Sequence, residues 1–168
     1  ELLEFFKEEL GLGSADTLIP GARYHNLKDF MNFPDFGADH LKYKKIHPLP
    51  HRDINKSVSV FKSVEEKEFL LHYPYLSFSH VIDMLREASI TPDVISIKMT
   101  IYRVAPNSSV MNAMINAVKN GKFVVAVLEL QARFDEESNI YWANRLKEEG
   151  VKVIYGVPGL KVHSKLCL

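Results

Sequence analysis

The apolar segment from Lys122 to Leu130 (KFVVAVLEL) constrains the fold of this chain more than any other part of its sequence. Its interior lacks the apolar and polar alternation of a half-exposed strand, so it predicts a strand that is covered on both faces. Such strands are typical of parallel sheets, in which crossover connections place helices over the sheet. The segment therefore predicts a layered α/β domain.

The sequence around this segment alternates between strand and helix patterns. Strands are expected over residues 93–102, 122–130, 151–155 and 161–168, and helices over residues 64–71, 108–119 and 136–149 and in a segment that Ser77 caps. Gly121 and Gly150 follow two of these helices, where a residue with positive φ ends a helix most easily. The alternation predicts an α/β fold with a largely parallel sheet flanked by helices.

The first 52 residues have a different character. Residues 1–10 carry apolar side chains at helical spacing, and Gly11 follows them, which predicts a helix end. The next forty or so residues are irregular and rich in aromatic residues, histidine and proline; within them Asn26 is expected to cap a short helix that Pro34 closes. The basic segment Lys42–Arg52 is either a connector between domains or an arm that binds phosphate.

Composition excludes several kinds of partner. The chain has 168 residues, with 21 basic and 21 acidic side chains, so no global charge recruits nucleic acid or an anionic membrane. No apolar run approaches a membrane span, and no signal peptide is recognisable. The single Cys167 excludes an internal disulfide and fits a reducing compartment. Because the chain starts without methionine and ends inside an apolar segment, we expect it to be an excised fragment.

Cationic side chains follow the predicted strands, where ligands of such sheets collect. Arg103 follows the first strand, Arg133 follows the second, and His163 and Lys165 share one face of the last. Each arginine alone could be a solvated loop charge, and a lone histidine could be structural. Several cations in one crevice repel each other unless an anion separates them, and guanidinium groups match phosphate oxygens. The pattern therefore indicates polyanionic phosphate as the ligand, with His163 as a nucleophile for phosphorus.

Other polar residues near these positions are open to more than one interpretation. The acidic run Asp135-Glu136-Glu137 could hold Arg133 or a metal, or could favour the start of the following helix. Asn139 and Tyr141 are further candidates for the crevice. The chain has neither a glycine-rich phosphate loop nor a cysteine and histidine set at zinc spacing, so a bound nucleotide must be held by side chains.

Five motifs closely resemble the bacterial polyphosphate kinase family, which is built on phospholipase-D-like domains. They are Ile19–Phe30 (IPGARYHNLKDF), His72–Tyr75 (HYPY) with Phe78, Ile97–Val104 (IKMTIYRV), Glu129–Glu137 (ELQARFDEE) and Pro158–Lys165 (PGLKVHSK). The resemblance implies reversible transfer of the ATP γ-phosphate to inorganic polyphosphate through a phosphohistidine. His163 matches the phosphorylated histidine, with Lys165 beside it. Arg103 and Arg133 match two arginines associated with the magnesium-phosphate site, where we expect them to hold phosphate oxygens that Mg²⁺ also touches.

The resemblance also implies a domain organisation and a setting. Residues 1–47 would be the end of a helical head domain, and residues 48–168 the start of the first phospholipase-D-like catalytic domain. ATP or ADP with Mg²⁺ and polyphosphate would be the partners of a cytoplasmic enzyme, which could lie against the inner face of the membrane. The full-length enzyme is expected to be a homo-oligomer, and the 168 residues alone to have no turnover. Two alternatives remain open, a phospholipase-D-like phosphodiesterase and a non-catalytic α/β module that binds anions.

Overall fold

Three parallel strands, β1 (Ser96–Ile101), β2 (Phe123–Leu128) and β3 (Lys152–Tyr155), form a sheet in that order. The computed structural model describes residues 1–19, 21, 30–31, 33–54, 59–130 and 136–168. Its helices and strands are, in chain order, α1 (Leu2–Glu9), a 3-10 helix (Asp39–Leu41), α2 (Val60–Glu66), α3 (Ser79–Ile90), β1 (Ser96–Ile101), α4 (Ser109–Lys119), β2 (Phe123–Leu128), α5 (Glu136–Glu148) and β3 (Lys152–Tyr155). The α/β fold with a parallel sheet and flanking helices is therefore confirmed.

The sheet is built from two successive strand-helix-strand units, in which α4 connects β1 to β2 and α5 connects β2 to β3. The Ser108 hydroxyl accepts a hydrogen bond from the Met111 amide at 3.3 Å and so caps α4. Gly121 and Gly150 have φ values of 78° and 88°, which end α4 and α5 as expected. Both connections leave the carboxyl ends of β1 and β2 at the same edge of the sheet.

The core lies between one sheet face and the helices. It contains side chains from every layer, among them Leu85 of α3, Met111 and Met114 of α4, Ile97, Ile101, Val124, Ala126 and Leu128 of the sheet, and Trp142 and Leu146 of α5. Neighbouring residues Val124, Val125 and Ala126 point to opposite faces and all are buried, so the expected cover on both faces holds at the middle of β2. Phe123, at the start of that strand, is 54% exposed.

The helix expected over residues 64–71 is misplaced in the sequence prediction, because α2 spans Val60–Glu66. The Ser59 hydroxyl accepts from the Lys62 amide at 3.1 Å, and the Glu87 carboxylate accepts from the Val60 amide at 2.7 Å. Glu87 belongs to α3, far along the chain, so the local sequence around α2 did not predict this second acceptor. The short helix expected after Asn26 falls largely outside the described residues.

The chain divides into two compact units, Glu1–Lys45 and Ile46–Leu168. The division falls inside the basic segment Lys42–Arg52. In the first unit Lys42 donates hydrogen bonds to Asp35 and Asp39, at 2.6 and 2.8 Å. In the second unit the Leu49 amide donates to the Tyr75 carbonyl at 2.8 Å. The assignment of residues 1–47 and 48–168 to a head domain and a catalytic domain stays a prediction.

Candidate active site

The segment carrying His163 pairs with β1 in the antiparallel direction. The amide of Thr100 donates to the carbonyl of Leu166 at 3.0 Å, and the amide of Lys98 donates to the carbonyl of Leu168 at 2.8 Å. The sequence predicts a full strand over residues 161–168, but the only bridge that this segment makes with a strand of the described sheet joins Met99 to Cys167. The prediction of a fourth strand is therefore wrong in its extent.

This antiparallel register brings the nucleophile candidate to the end of β1. If the register of the Met99–Cys167 bridge continued for four more pairs, His163 would stand opposite Arg103. The Thr100 hydroxyl holds the segment next to β1, since it donates to the Ser164 carbonyl at 2.5 Å and accepts from the Leu166 amide at 2.8 Å. If residues 161–168 ran parallel to β1, the carboxyl end of this segment would lie at that edge of the sheet instead.

The ring of Tyr102 lies at the centre of the candidate site. The imidazole of His163 meets it edge-on, with centroids 4.9 Å apart and planes inclined at 72°. Three cations surround the same ring: Lys165 Nζ lies 4.7 Å from its centroid, Arg103 Cζ 5.4 Å and Lys161 Nζ 5.8 Å. The negative face of an aromatic ring attracts cations at these distances. One ring thus brings together the histidine and three positive charges.

Glu129 fixes the backbone next to His163. Its carboxylate accepts a hydrogen bond from the Val162 amide at 2.9 Å, and its side chain is only 7% exposed. Its own amide donates to the Ile101 carbonyl at 2.9 Å. Glu129 therefore joins β1, the end of β2 and the tail segment, which comprises residues 161–168, at one point. A hydrogen bond to a charged group in a buried setting is among the stronger ones in proteins.

Asn139 of α5 lies under the same edge of the sheet and is completely buried. Its amide nitrogen donates to the carbonyls of Tyr102 and Glu129, each at 2.8 Å, and its oxygen accepts from the Val104 amide at 3.1 Å. These bonds satisfy backbone groups that leave the strand ladders as β1 and β2 end. Asn139 therefore stabilises the backbone at the carboxyl edge of the sheet. Tyr141, the other candidate from α5, is 58% exposed.

A cleft of about 740 Å³ opens beside β1 and the tail segment. Its polar wall includes Tyr102, Arg103, His163 and Lys165, and its apolar wall includes Phe78, Val81, Val110 and Met111 of the α3 and α4 region. The Lys165 ammonium donates to the His163 carbonyl at 2.5 Å, which holds this charge beside the histidine. Arg103, His163 and Lys165 are all exposed, so a charged ligand can reach them from solvent.

The structure unites three of the four predicted site residues. Arg103, His163 and Lys165 meet around Tyr102, whereas Arg133 lies outside the described residues, as does Asp135 of the acidic run. Glu136 and Glu137 occupy the first turn of α5, where negative charge is favourable. Within the described part of the chain, no group of three or more histidine, cysteine or acidic side chains is placed to hold a metal ion.

Lys161 and Tyr102 were not predicted as site residues, and the sequence offered a signal only for Lys161. Lys161, His163 and Lys165 alternate, which places all three on one side of an extended segment. Tyr102 immediately precedes Arg103 but fits the pattern of a strand residue, so its chemical surroundings could not be predicted from the sequence.

Among the helices of the described chain, none has the length and apolar character needed to cross a bilayer.

Comparison with known proteins places this chain in a family. The family model "Polyphosphate kinase C-terminal domain 1" matches residues 59–168. A polyphosphate kinase of Vibrio vulnificus (strain YJ016) is 50% identical over 168 residues, which are 100% of this chain and 24% of that relative. A polyphosphate kinase of Escherichia coli (strain K12) is 49% identical over 169 residues, covering 99% of this chain and 25% of the relative.

A solved structure agrees with these sequence matches. The crystal structure of polyphosphate kinase from Porphyromonas gingivalis superposes with a TM-score of 0.65 at 38% identity, over 89% of this chain and 25% of that one. The chain spans about a quarter of the length of the relatives it matches. Because the family model covers more than half of its residues, the chain belongs to the polyphosphate kinase family.

Proposed function

We propose that the protein carrying these residues transfers the γ-phosphate of ATP reversibly to inorganic polyphosphate, and that His163 carries the phosphoryl group between them. The observation that carries this proposal is the meeting of His163, Arg103 and Lys165 around the ring of Tyr102 at the edge of an open cleft. A nucleophile and two fixed cations at one edge of the sheet suit attack on a phosphate whose oxygens carry negative charge.

The transfer runs in two balanced steps. A ring nitrogen of His163 attacks the γ-phosphorus in line, a nitrogen–phosphorus bond forms, and the bond to the bridging oxygen breaks, so ADP leaves with that electron pair. A terminal oxygen of polyphosphate then attacks the phosphohistidine, and the nitrogen–phosphorus bond breaks to restore the imidazole. Arg103 and Lys165 offset the charge on the phosphoryl oxygens in both steps.

Mg²⁺ would enter this site on the phosphates of ATP, as part of the substrate. Arg103 offers only N–H donors and a positive charge, so it cannot ligate the ion and suits phosphate oxygens instead. The same chemistry applies to Arg133, for which the family resemblance implies a place in the magnesium-phosphate site. Since the described residues present no cluster of metal ligands, we assign no step to a protein-bound metal.

An isotope chase tests the proposal in the full-length kinase. ATP labelled at the γ-phosphate should label the protein, and the label should move to polyphosphate when unlabelled chains are added or return to ATP when ADP is added. A phospholipase-D-like phosphodiesterase would instead cleave a diester substrate and take no label from ATP. An anion-binding module would bind phosphate without forming any covalent bond, and either result would refute the proposed reaction.

A further inference from the structure

Lys161 has no role in the two-step transfer described above, yet it lies beside the same ring. Its Nζ is 5.8 Å from the Tyr102 centroid, and its side chain is exposed. It lies two residues before His163, as Lys165 lies two residues after it. Lysine is therefore present on both sides of the nucleophile along the tail segment.

The backbone of Tyr102 is anchored at the point where its ring gathers these charges. Its carbonyl accepts a hydrogen bond from the buried Asn139 amide at 2.8 Å, at the point where β1 ends. Its side chain is half-buried and lines the cleft. An aromatic face attracts a lysine ammonium without neutralising it, so Lys161 and Lys165 stay gathered and still available to an anion.

The distribution of charge indicates the shape of that anion. Arg103 and Lys165 line the cleft with His163, whereas Lys161 does not belong to the cleft wall. A single phosphoryl group on His163 would lie beside the two cations that share its cleft, Arg103 and Lys165. A linear polyanion, with a charge on every phosphate, can contact those cations and Lys161 at the same time.

We propose that Lys161 is a further binding residue for linear polyphosphate, and that the Tyr102 ring positions it beside His163 to hold a phosphate next to the one being transferred. The inference rests on the proposed function for its substrate class. It predicts that Lys161 discriminates between long and short phosphate chains, because a longer chain has more charged phosphates with which to contact Lys161 and the cleft cations at once.

Replacement of Lys161 by glutamine tests this in the full-length kinase. The KM for long-chain polyphosphate should rise about fivefold, more than kcat changes, because one exposed ionic contact is lost. Lys152→Gln is the matched control: Lys152 is an exposed lysine on β3, two strands away from β1. The rise for Lys161→Gln should shrink at high salt. Equal KM values for the Lys161 and Lys152 variants would overturn the proposal.

A binding measurement separates this inference from the reaction itself. Unphosphorylated kinase without nucleotide should bind tripolyphosphate more weakly after Lys161→Gln, while its affinity for orthophosphate should change less than twofold. Suppose that wild-type protein forms no covalent phosphate while Lys161→Gln still weakens tripolyphosphate binding. That result would refute the proposed transfer reaction and support the proposed binding site. Unchanged tripolyphosphate affinity would refute the binding site even if the reaction were established.

The role of Tyr102 is tested by two replacements. Tyr102→Phe keeps the ring and should keep tripolyphosphate affinity within about twofold of wild type, whereas Tyr102→Leu removes the aromatic face and should weaken affinity about tenfold. The unfolding midpoint of each variant reports whether it is folded. A folded Tyr102→Leu protein with wild-type affinity would show that the ring positions nothing.

Discussion

The imidazole of His163 rests edge-on against the phenol ring of Tyr102, with ring centroids 4.9 Å apart. Edge-to-face packing of this kind restricts the orientation of an imidazole. A nucleophile in the proposed reaction needs a set orientation as well as a free lone pair.

Arg103 should contribute directly to phosphoryl transfer. Arg103→Ala removes a guanidinium at the end of β1 and should lower kcat/KM for ATP about 10- to 100-fold, in keeping with the ~1.5–3 kcal/mol of a hydrogen bond to a charged group. Arg103→Lys keeps the charge but loses the planar fork, so its kcat/KM should fall between wild type and Arg103→Ala. Steady-state kinetics of the full-length kinase measure the series, and equal activities in all three proteins would contradict the assignment.

Glu129 should act as a positioning residue through the Val162 amide. Glu129→Ala leaves that buried amide without its acceptor, which costs about 1–3 kcal/mol in unfolding free energy. Glu129→Gln retains an oxygen that can accept the bond and should recover most of the stability and of the rate at which ATP phosphorylates the protein. Denaturant unfolding and single-turnover labelling measure the two effects. If glutamine and alanine behaved alike, the hydrogen bond at 2.9 Å would not be what positions this segment.

Asn139 should be essential for stability at the carboxyl edge of the sheet. Asn139→Ala leaves two carbonyls and one amide without their partner, so unfolding free energy should fall by about 3 kcal/mol or more. Asn144→Ala, an exposed change on the same helix, should stay within about 0.5 kcal/mol of wild type. Chemical denaturation compares the pair. A small loss for both variants would mean that water replaces the buried hydrogen bonds.

Glu149 provides a prediction about pH. The hydrogen bond from Lys119 lowers the pKa of the Glu149 carboxyl, and the charge of Arg145 lowers this pKa further. A carboxyl with a lowered folded-state pKa stabilises the fold above its unfolded pKa, and this contribution disappears as pH falls through the folded value. The stability difference between wild type and Glu149→Gln should therefore be present at neutral pH and vanish in acid. A difference independent of pH would contradict this linkage.

Much of the α/β unit could be predicted because its signals are local. Ser108, Gly121 and Gly150 mark helix ends through their own backbone and side-chain chemistry, and the apolar run of β2 needs no distant partner to be recognised. The position of α2 was harder to predict because Glu87 of a later helix supplies one of its acceptors. A cap from a distant residue depends on the tertiary structure, so local sequence does not predict it.

The candidate site was likewise predictable only in part. Arg103, His163 and Lys165 were recognised from residue type and spacing, since charged groups after strands are informative in parallel sheets. Their common contact with Tyr102 depends on the antiparallel pairing of residues 166–168 with β1, and direction of pairing is not encoded in a single strand's pattern. Arg133 lies outside the described residues, so its place in the site stays a prediction.

The most direct test of the central claim is to locate the covalent phosphate after full-length kinase has been exposed to ATP. Phosphorus-31 spectroscopy and peptide mapping should find one acid-labile phosphate on His163 in wild-type protein. The label should be lost in His163→Ala and kept in His40→Ala, a matched change at an exposed histidine of the first unit. An acid-labile phosphate that persists in His163→Ala would show that another residue carries the phosphoryl group.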